Sequence, residues 1–413
     1  MLGHIHIATL CWTLFMEGWN DGSTGPLLPR IQRVYNVSYI VVSLLFVAGC
    51  VGIMIGGAAC IFLTARMGFG KVGSLVQATA YCIQSPAPPF VVFALAFGLS
   101  GFGMALQDGQ ANGYVAGVKN SSTKLGFIHC AYGERPPSNA HSDYRSNVFT
   151  YLAGAGALVA PLASTQFAQL EHWSFQYLIS LSLCLLNTVL LIAVFRFKSQ
   201  DECFKSIGEA VGEHGTSKDN TYKQIFKQKA VHLLSLFILA YVGVEVTIGG
   251  WIVTYIIRFR DGGPSSGYIS SGFFGGLALG RIALLWVNQK LGQRLAVLIY
   301  MLLAIGLELI VWLVPSLISG AVAISLTGFF MGPIYPIVMN ETARILPRWL
   351  LTGSISWIAA FGTTGAAALP FIAGALAQEK GIWTLQPLLL AMMAVMVSLW
   401  LIIPKERVSD HAE

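Results

Sequence analysis

Two aspartates set the chemical question. Asp21 stands in "MEGWNDGSTGPLLPRI" (16–31) and Asp108 in "ALQDGQANGYV" (105–115), each within a largely apolar stretch. An ionisable side chain inside a bilayer is costly and marks a functional position by default. A carboxyl among apolar groups favours its neutral form, so it can collect a proton on one side of a membrane and release it on the other. Asn20, Gln107, Gln110, Asn112 and Asn340 add paired donors and acceptors, which suit the hydroxyls of a polyhydroxy solute. Asp108 and Asn112 are four apart and share a helix face. Glu245, in "YVGVEVTIGGWIV", has no cation within a turn and can hold a proton or a hydroxyl. The rings of Trp19, Trp251, Tyr335 and Trp357 could stack on the apolar face of a sugar. His129, beside Tyr132, suits proton transfer near neutral pH. Each of these also has a structural use: amides and imidazoles bond between helices, and membrane aromatics form interfacial belts. Glu17 is expected to face a partner helix, and no role is assigned to Glu308.

The elements that hold these residues follow from composition. The chain has 413 residues, 55% hydrophobic and 11% charged, against roughly 25% charged in soluble proteins. Such a deficit leaves much of the surface facing lipid. Apolar segments long enough to span a bilayer fall near 5–29, 38–65, 71–87, 90–117, 173–197, 231–257, 265–289, 294–314, 316–342, 351–378 and 385–403, with one more that starts near 124 and is interrupted. The expected fold class is therefore an all-α polytopic membrane protein with twelve transmembrane helices. With both termini cytoplasmic, Lys and Arg number seventeen inside and seven outside, the bias that orients membrane proteins. The first segment lacks a basic leader and a cleavage site, so it reads as a retained helix.

The net charge of +6 comes without a basic patch interleaved with aromatics, so no nucleic-acid partner is expected. Seven cysteines show no metal-ligand spacing, and no metal or cofactor is expected beyond a proton as coupling ion. Phosphate-binding and hydrolase motifs are absent, which argues against an enzyme.

A polar linker at 198–229 separates an N-terminal bundle (1–197) from a C-terminal one (230–413). Matches between the halves run at a nearly constant offset: Gly56 with Gly280, "GFGM" (101–104) with "GFFM" (328–331), "AYG" (131–133) with "AFG" (360–362), and Glu17 with Glu245. They imply a parallel repeat around a central cavity. Past Gly133 the match fails until Glu134–Ala153 are removed, whereupon Gly156 falls on Gly365 and Pro161 on Pro370. Those residues read as an insertion in the fifth helix. Because Gly-Glu-Arg can be encoded with GTGAGC, a typical 5′ splice signal, a retained in-frame intron is the preferred origin; a genuine looped insertion is the other.

"LTARMGFGK" resembles the loop motif of the major facilitator superfamily: Arg66, Gly68 and Lys71 fit, and Ala65 replaces the expected aspartate. "GWNDGSTGPLLPRIQ", "ALQDGQANGYV" and "GPIYPIVMN" resemble the first, fourth and tenth helices of the fucose permease-like sugar/proton symporters and their fungal relatives. The resemblance implies two pseudo-symmetric six-helix bundles and alternating access. It also implies proton coupling at Asp21 and Asp108, a gating role for Arg66, Gly68 and Lys71, and uptake of a sugar or similar polar solute by a monomer in the plasma membrane. Two other readings stand beside it: an exporter of a hydrophobic metabolite or toxin, and a non-transporting protein disabled by the insertion.

Overall fold

In lipid every backbone polar group must be satisfied within its own segment, which leaves the helix as the natural solution for an apolar chain. The computed structural model describes residues 2–67, 71–117, 147–196, 202–203, 221–346 and 348–404, and among these every regular element is helical. The first half contains α1 (Leu2–Tyr35), α2 (Tyr39–Met67), α3 (Lys71–Gln84), α4 (Phe90–Gly117), α5 (Asn147–Phe167) and α6 (Gln176–Phe195). A short helix, α7 (Thr221–Lys227), ends the linker. The second half contains α8 (Lys229–Phe259), α9 (Tyr268–Ala283), α10 (Leu285–Leu291), α11 (Gln293–Leu313), α12 (Leu317–Met331), α13 (Ile334–Ile345), α14 (Arg348–Lys380) and α15 (Leu385–Ile402). α9 and α10 form one traverse bent by 53°, and α12 and α13 form another, so the described elements make the twelve traverses the sequence predicts. Eight helical segments among the described residues are long and apolar enough to cross a bilayer, nine with the bent pair. Val91, Leu95, Leu313 and Ile318 are each at least two-thirds exposed on the outside, the inversion expected where lipid is the solvent. The chain is an integral, multi-pass membrane protein.

The halves repeat one packing scheme. Gly56 of α2 leaves no room for a Cβ against the Phe102 carbonyl of α4, and Gly280 of α9 does the same against Phe329 of α12. Gly156 of α5 abuts the Phe15 carbonyl of α1, as Gly365 of α14 abuts that of Leu239 in α8. This last pair corrects the predicted register. Phe15 and Leu239 stand 224 apart, and at that offset the equivalent of Glu245 is Asp21, not Glu17. Matching by carboxylate type had slipped the alignment by one helical turn.

The predicted insertion divides. Residues 134–146 lie outside the described residues, whereas 147–153 form the first two turns of α5 and run straight into 154–167. The end of the polar linker also has structure: Ile225 of α7 lies against Gly353, and Phe226 packs edge-on to Trp357 at 4.8 Å.

The halves meet at the end of the bundle remote from the chain termini. Gly25 of α1 packs on the Gly249 carbonyl of α8, and Gly374 of α14 on Ser43 of α2. The Tyr39 amide donates to Oε1 of Gln378 at 3.1 Å, and Gln166 of α5 bonds the Tyr268 hydroxyl of α9.

Candidate functional site

On the terminus-proximal side of that seal lies a cavity of about 490 Å³ enclosed by both halves. α1 contributes Glu17, Asn20 and Asp21, α4 contributes Asp108, and α8 contributes Glu245. Arg281 comes from α9 and Tyr335 from α13. Glu17, Asn20, Asp21 and Thr24 reach the cavity together because residues three and four apart share a helix face. The repeat places Asp21 and Glu245 as counterparts, and the two carboxyls interact electrostatically across the space between the halves. Glu17 interacts with both Asp108 and Asp21, and one of its carboxylate oxygens is buried without a hydrogen-bond partner. Four acids thus face one guanidinium among the described lining residues. This excess of acids favours positive charge in the cavity and disfavours anions.

Asp21 is oriented from behind. The Asn20 side chain donates to its Oδ1 over a long 3.5 Å, while Oδ1 of Asn20 accepts from the Tyr81 hydroxyl at 3.2 Å and from Ser100 at 3.5 Å. Two hydroxyls on the oxygen end direct the amide's N–H₂ toward the carboxylate. The chain continues inward: Gln77 donates to Tyr81 at 3.0 Å, Gln107 donates to Gln77 at 2.8 Å, Asn187 donates to Gln107 at 2.7 Å, and Thr13 donates to Asn187 at 3.1 Å. It links α1, α3, α4 and α6 in one hydrogen-bonded series.

This series explains several departures from the predicted solute-binding set. Gln107 does not line the cavity: both ends of its amide are used by Gln77 and Asn187, away from the face that Asp108 presents to it. Gln110 is buried outside the cavity. Asn340 donates to Gln293 at 3.1 Å and ties α13 to α11. Trp251 is fully buried, with its indole N–H on the Pro370 carbonyl at 3.0 Å and its ring near Tyr39 and Phe46, so it braces the seal. Trp19 donates to Ser180 at 2.9 Å, and Trp357 packs on Phe226 and Phe361. The amides and the Trp19 and Trp251 indoles are satisfied within the bundle, the ordinary fate of polar groups in lipid, whereas the Trp357 indole N–H is buried without a hydrogen-bond partner. The side chain of Asn112, and His129 and Tyr132 entirely, lie outside the described residues, as do Gly68 and the side chains of Arg66 and Lys71.

Three residues that matter here were not singled out from sequence. Arg281 stands in the sequence as a lone charge within the eighth apolar segment. Gln77 and Tyr81 are four apart on α3, a polar pair in an apolar helix, and that spacing was the available signal.

The remaining wall is apolar, with Leu45, Phe46, Ile53, Phe97, Met104 and Phe274 among its members. Among the described residues no group of three or more His, Cys, Asp and Glu is arranged to hold a metal ion.

No protein-family profile matches the chain. Among curated proteins it is similar to Bypass of stop codon protein 6 of Saccharomyces cerevisiae, 24% identical over 96% of this chain and 82% of the yeast protein. Among solved structures it is similar to a point mutant of the nucleoside transporter NupG, with a TM-score of 0.73, 10% identity, and coverage of 97% of this chain and 100% of that one. The major facilitator superfamily transporter FucP, in the outward conformation, aligns with a TM-score of 0.63 and 17% identity over 97% of this chain and 98% of that one. A point mutant of the fucose:proton symporter FucP of E. coli aligns with a TM-score of 0.61 and 16% identity at the same coverage. The chain has the major facilitator fold.

Proposed function

We propose that the chain is a secondary transporter that moves a neutral polar solute, a sugar or similar polyhydroxy compound, together with protons. The observation that carries this reading is the cavity closed at one end, with Asp21 and Asp108 on one half facing Glu245 on the other. A carrier working by alternating access needs a site shared by two bodies that rock about it, and a coupled carrier needs groups there that gain and lose a proton. Asp21 and Asp108 are the proton-linked pair, Asn20 holds Asp21 in place, and Glu245 and Tyr335 offer contacts to hydroxyls. The protein acts as a monomer in the plasma membrane with both termini cytoplasmic.

The names of the structural neighbours support the solute class, since a nucleoside and fucose are both uncharged, hydroxylated ring compounds. The acid excess of the cavity supports it too, because an anionic solute would add to an existing surplus of negative charge.

Uptake of labelled sugars and nucleosides into proteoliposomes, with and without an inward proton gradient, tests the reading. Accumulation should require the gradient. Asp108→Asn should abolish gradient-driven accumulation while leaving solute exchange at equal pH intact. Accumulation that ignores the gradient removes the proton from the account. The apolar wall favours a second reading, carriage of a hydrophobic metabolite, export included. Competition by apolar compounds but by no sugar would select it.

A further inference from the structure

The traverse formed by α12 and α13 breaks at Gly332-Pro333. A broken helix leaves carbonyls without partners, which lipid does not tolerate. Here two of them are satisfied from other helices. The Tyr241 hydroxyl of α8 donates to the Met331 carbonyl at 3.2 Å, and Nε of Arg281 in α9 donates to the Gly332 carbonyl at 3.3 Å. An α-helical bond cannot serve Gly332, because the residue four positions on is Pro336, which has no N–H. Arg281 stands beside a second break, where α10 departs from α9 by 53° after Ala283.

The same two side chains answer to the cavity. Arg281 lines it, and the Tyr241 hydroxyl interacts with both Arg281 and Glu245. Facing Glu245 are Tyr241 from its own helix, Arg281 from α9, Tyr335 from α13 and Asp21 from α1, with Glu17 and Asp108 elsewhere in the cavity wall. α14 faces it with Gly362, Thr363 and Ala366, which bring no charge. Glu245 and the Gly332 carbonyl thus bear on the same guanidinium, the carbonyl directly and Glu245 through Tyr241 and the shared cavity.

We propose that Arg281, with Tyr241, is a positioning residue that transmits the charge state of Glu245 to the bend between α12 and α13. The purpose of this link rests on the transport reading; its existence does not, and the test keeps the two apart. Amide hydrogen exchange over 334–345 is read in nanodisc-embedded full-length protein. Arg281→Gln should speed exchange there about tenfold, the scale of a lost charge-assisted hydrogen bond. Arg281→Lys, which keeps the charge, should show a smaller rise. Pro336→Ala gives the Gly332 carbonyl a backbone donor of its own, so in that background Arg281→Gln should add nothing. Glu245→Gln removes a competing charge and should slow exchange below wild type. The link is overturned by unchanged exchange in Arg281→Gln, by an equal rise with and without Pro336→Ala, or by a Glu245→Gln protein indistinguishable from wild type. Uptake by the same proteins is scored separately. A wild type that moves no solute would end the transport reading and leave the exchange result to decide the link.

Discussion

The Asn20 amide is committed at both ends, with hydroxyls on its oxygen and the Asp21 carboxylate before its nitrogen. Tyr81→Phe deletes one hydroxyl and leaves Gln77 without its acceptor. It should cost about 1–3 kcal/mol, the usual penalty for an orphaned buried polar group, visible as a lower thermal midpoint. It should also slow proton-driven uptake by releasing Asn20 to rotate. An unchanged midpoint and rate would show that the series does not orient Asp21. That Asp21, Asp108 and Glu245 would line a cavity was legible in the sequence, because a charge inside an apolar run stands out whatever it touches. The structural role of Gln77 and Gln107 was not, because an amide satisfied by a neighbouring helix and an amide awaiting a solute have the same one-letter code. Only the partner tells them apart, and the partners lie 30 and 80 residues from Gln107.

Helices approach most closely where a side chain is missing. A methyl group on Gly25 has no room against the Gly249 carbonyl, so Gly25→Ala forces α1 away from α8 at the seal. Overpacking of this kind costs about 1–3 kcal/mol, charged here against the state closed at that end. The expected result is faster labelling of Cys50, which lines the cavity, by a bulky thiol reagent applied from the sealed side, with slower uptake. Labelling at the wild-type rate would mean the contact is not limiting. Element positions were readable from hydropathy alone, and the traverse count holds. Of the two broken traverses, Pro333 and Pro336 mark one in the sequence, whereas nothing in composition marks the other, because the stretch around Leu284 stays as apolar as a straight helix. The slip by one turn between the halves has the same root, because the repeat is kept by glycine-to-carbonyl approaches and the acids do not keep it.

As a whole molecule the chain consists of two copies of one packing scheme that share a cavity and touch beyond it. The extra stretch in the fifth traverse remains our proposal of a retained intron. Removing Glu134–Ala153 joins Gly133 to Gly154 and keeps Gly156 on Phe15, so the shortened chain should express as a monodisperse protein with a thermal midpoint no lower than that of the full chain. Loss of folded protein would make the stretch a working part of the fold. The sequence of the transcript across these codons decides its origin.

The seal between the halves has one further consequence. It is built from glycine faces, neutral amides, hydroxyls and indole packing. Dissolved electrolyte screens exposed charges from one another over a length of about 10 Å at 0.1 M and has little hold on contacts of this sort. The rocking of the two bodies should therefore proceed at one pace in dilute and in briny media, and a cell shifting between fresh and saline surroundings would find this door equally stiff in both.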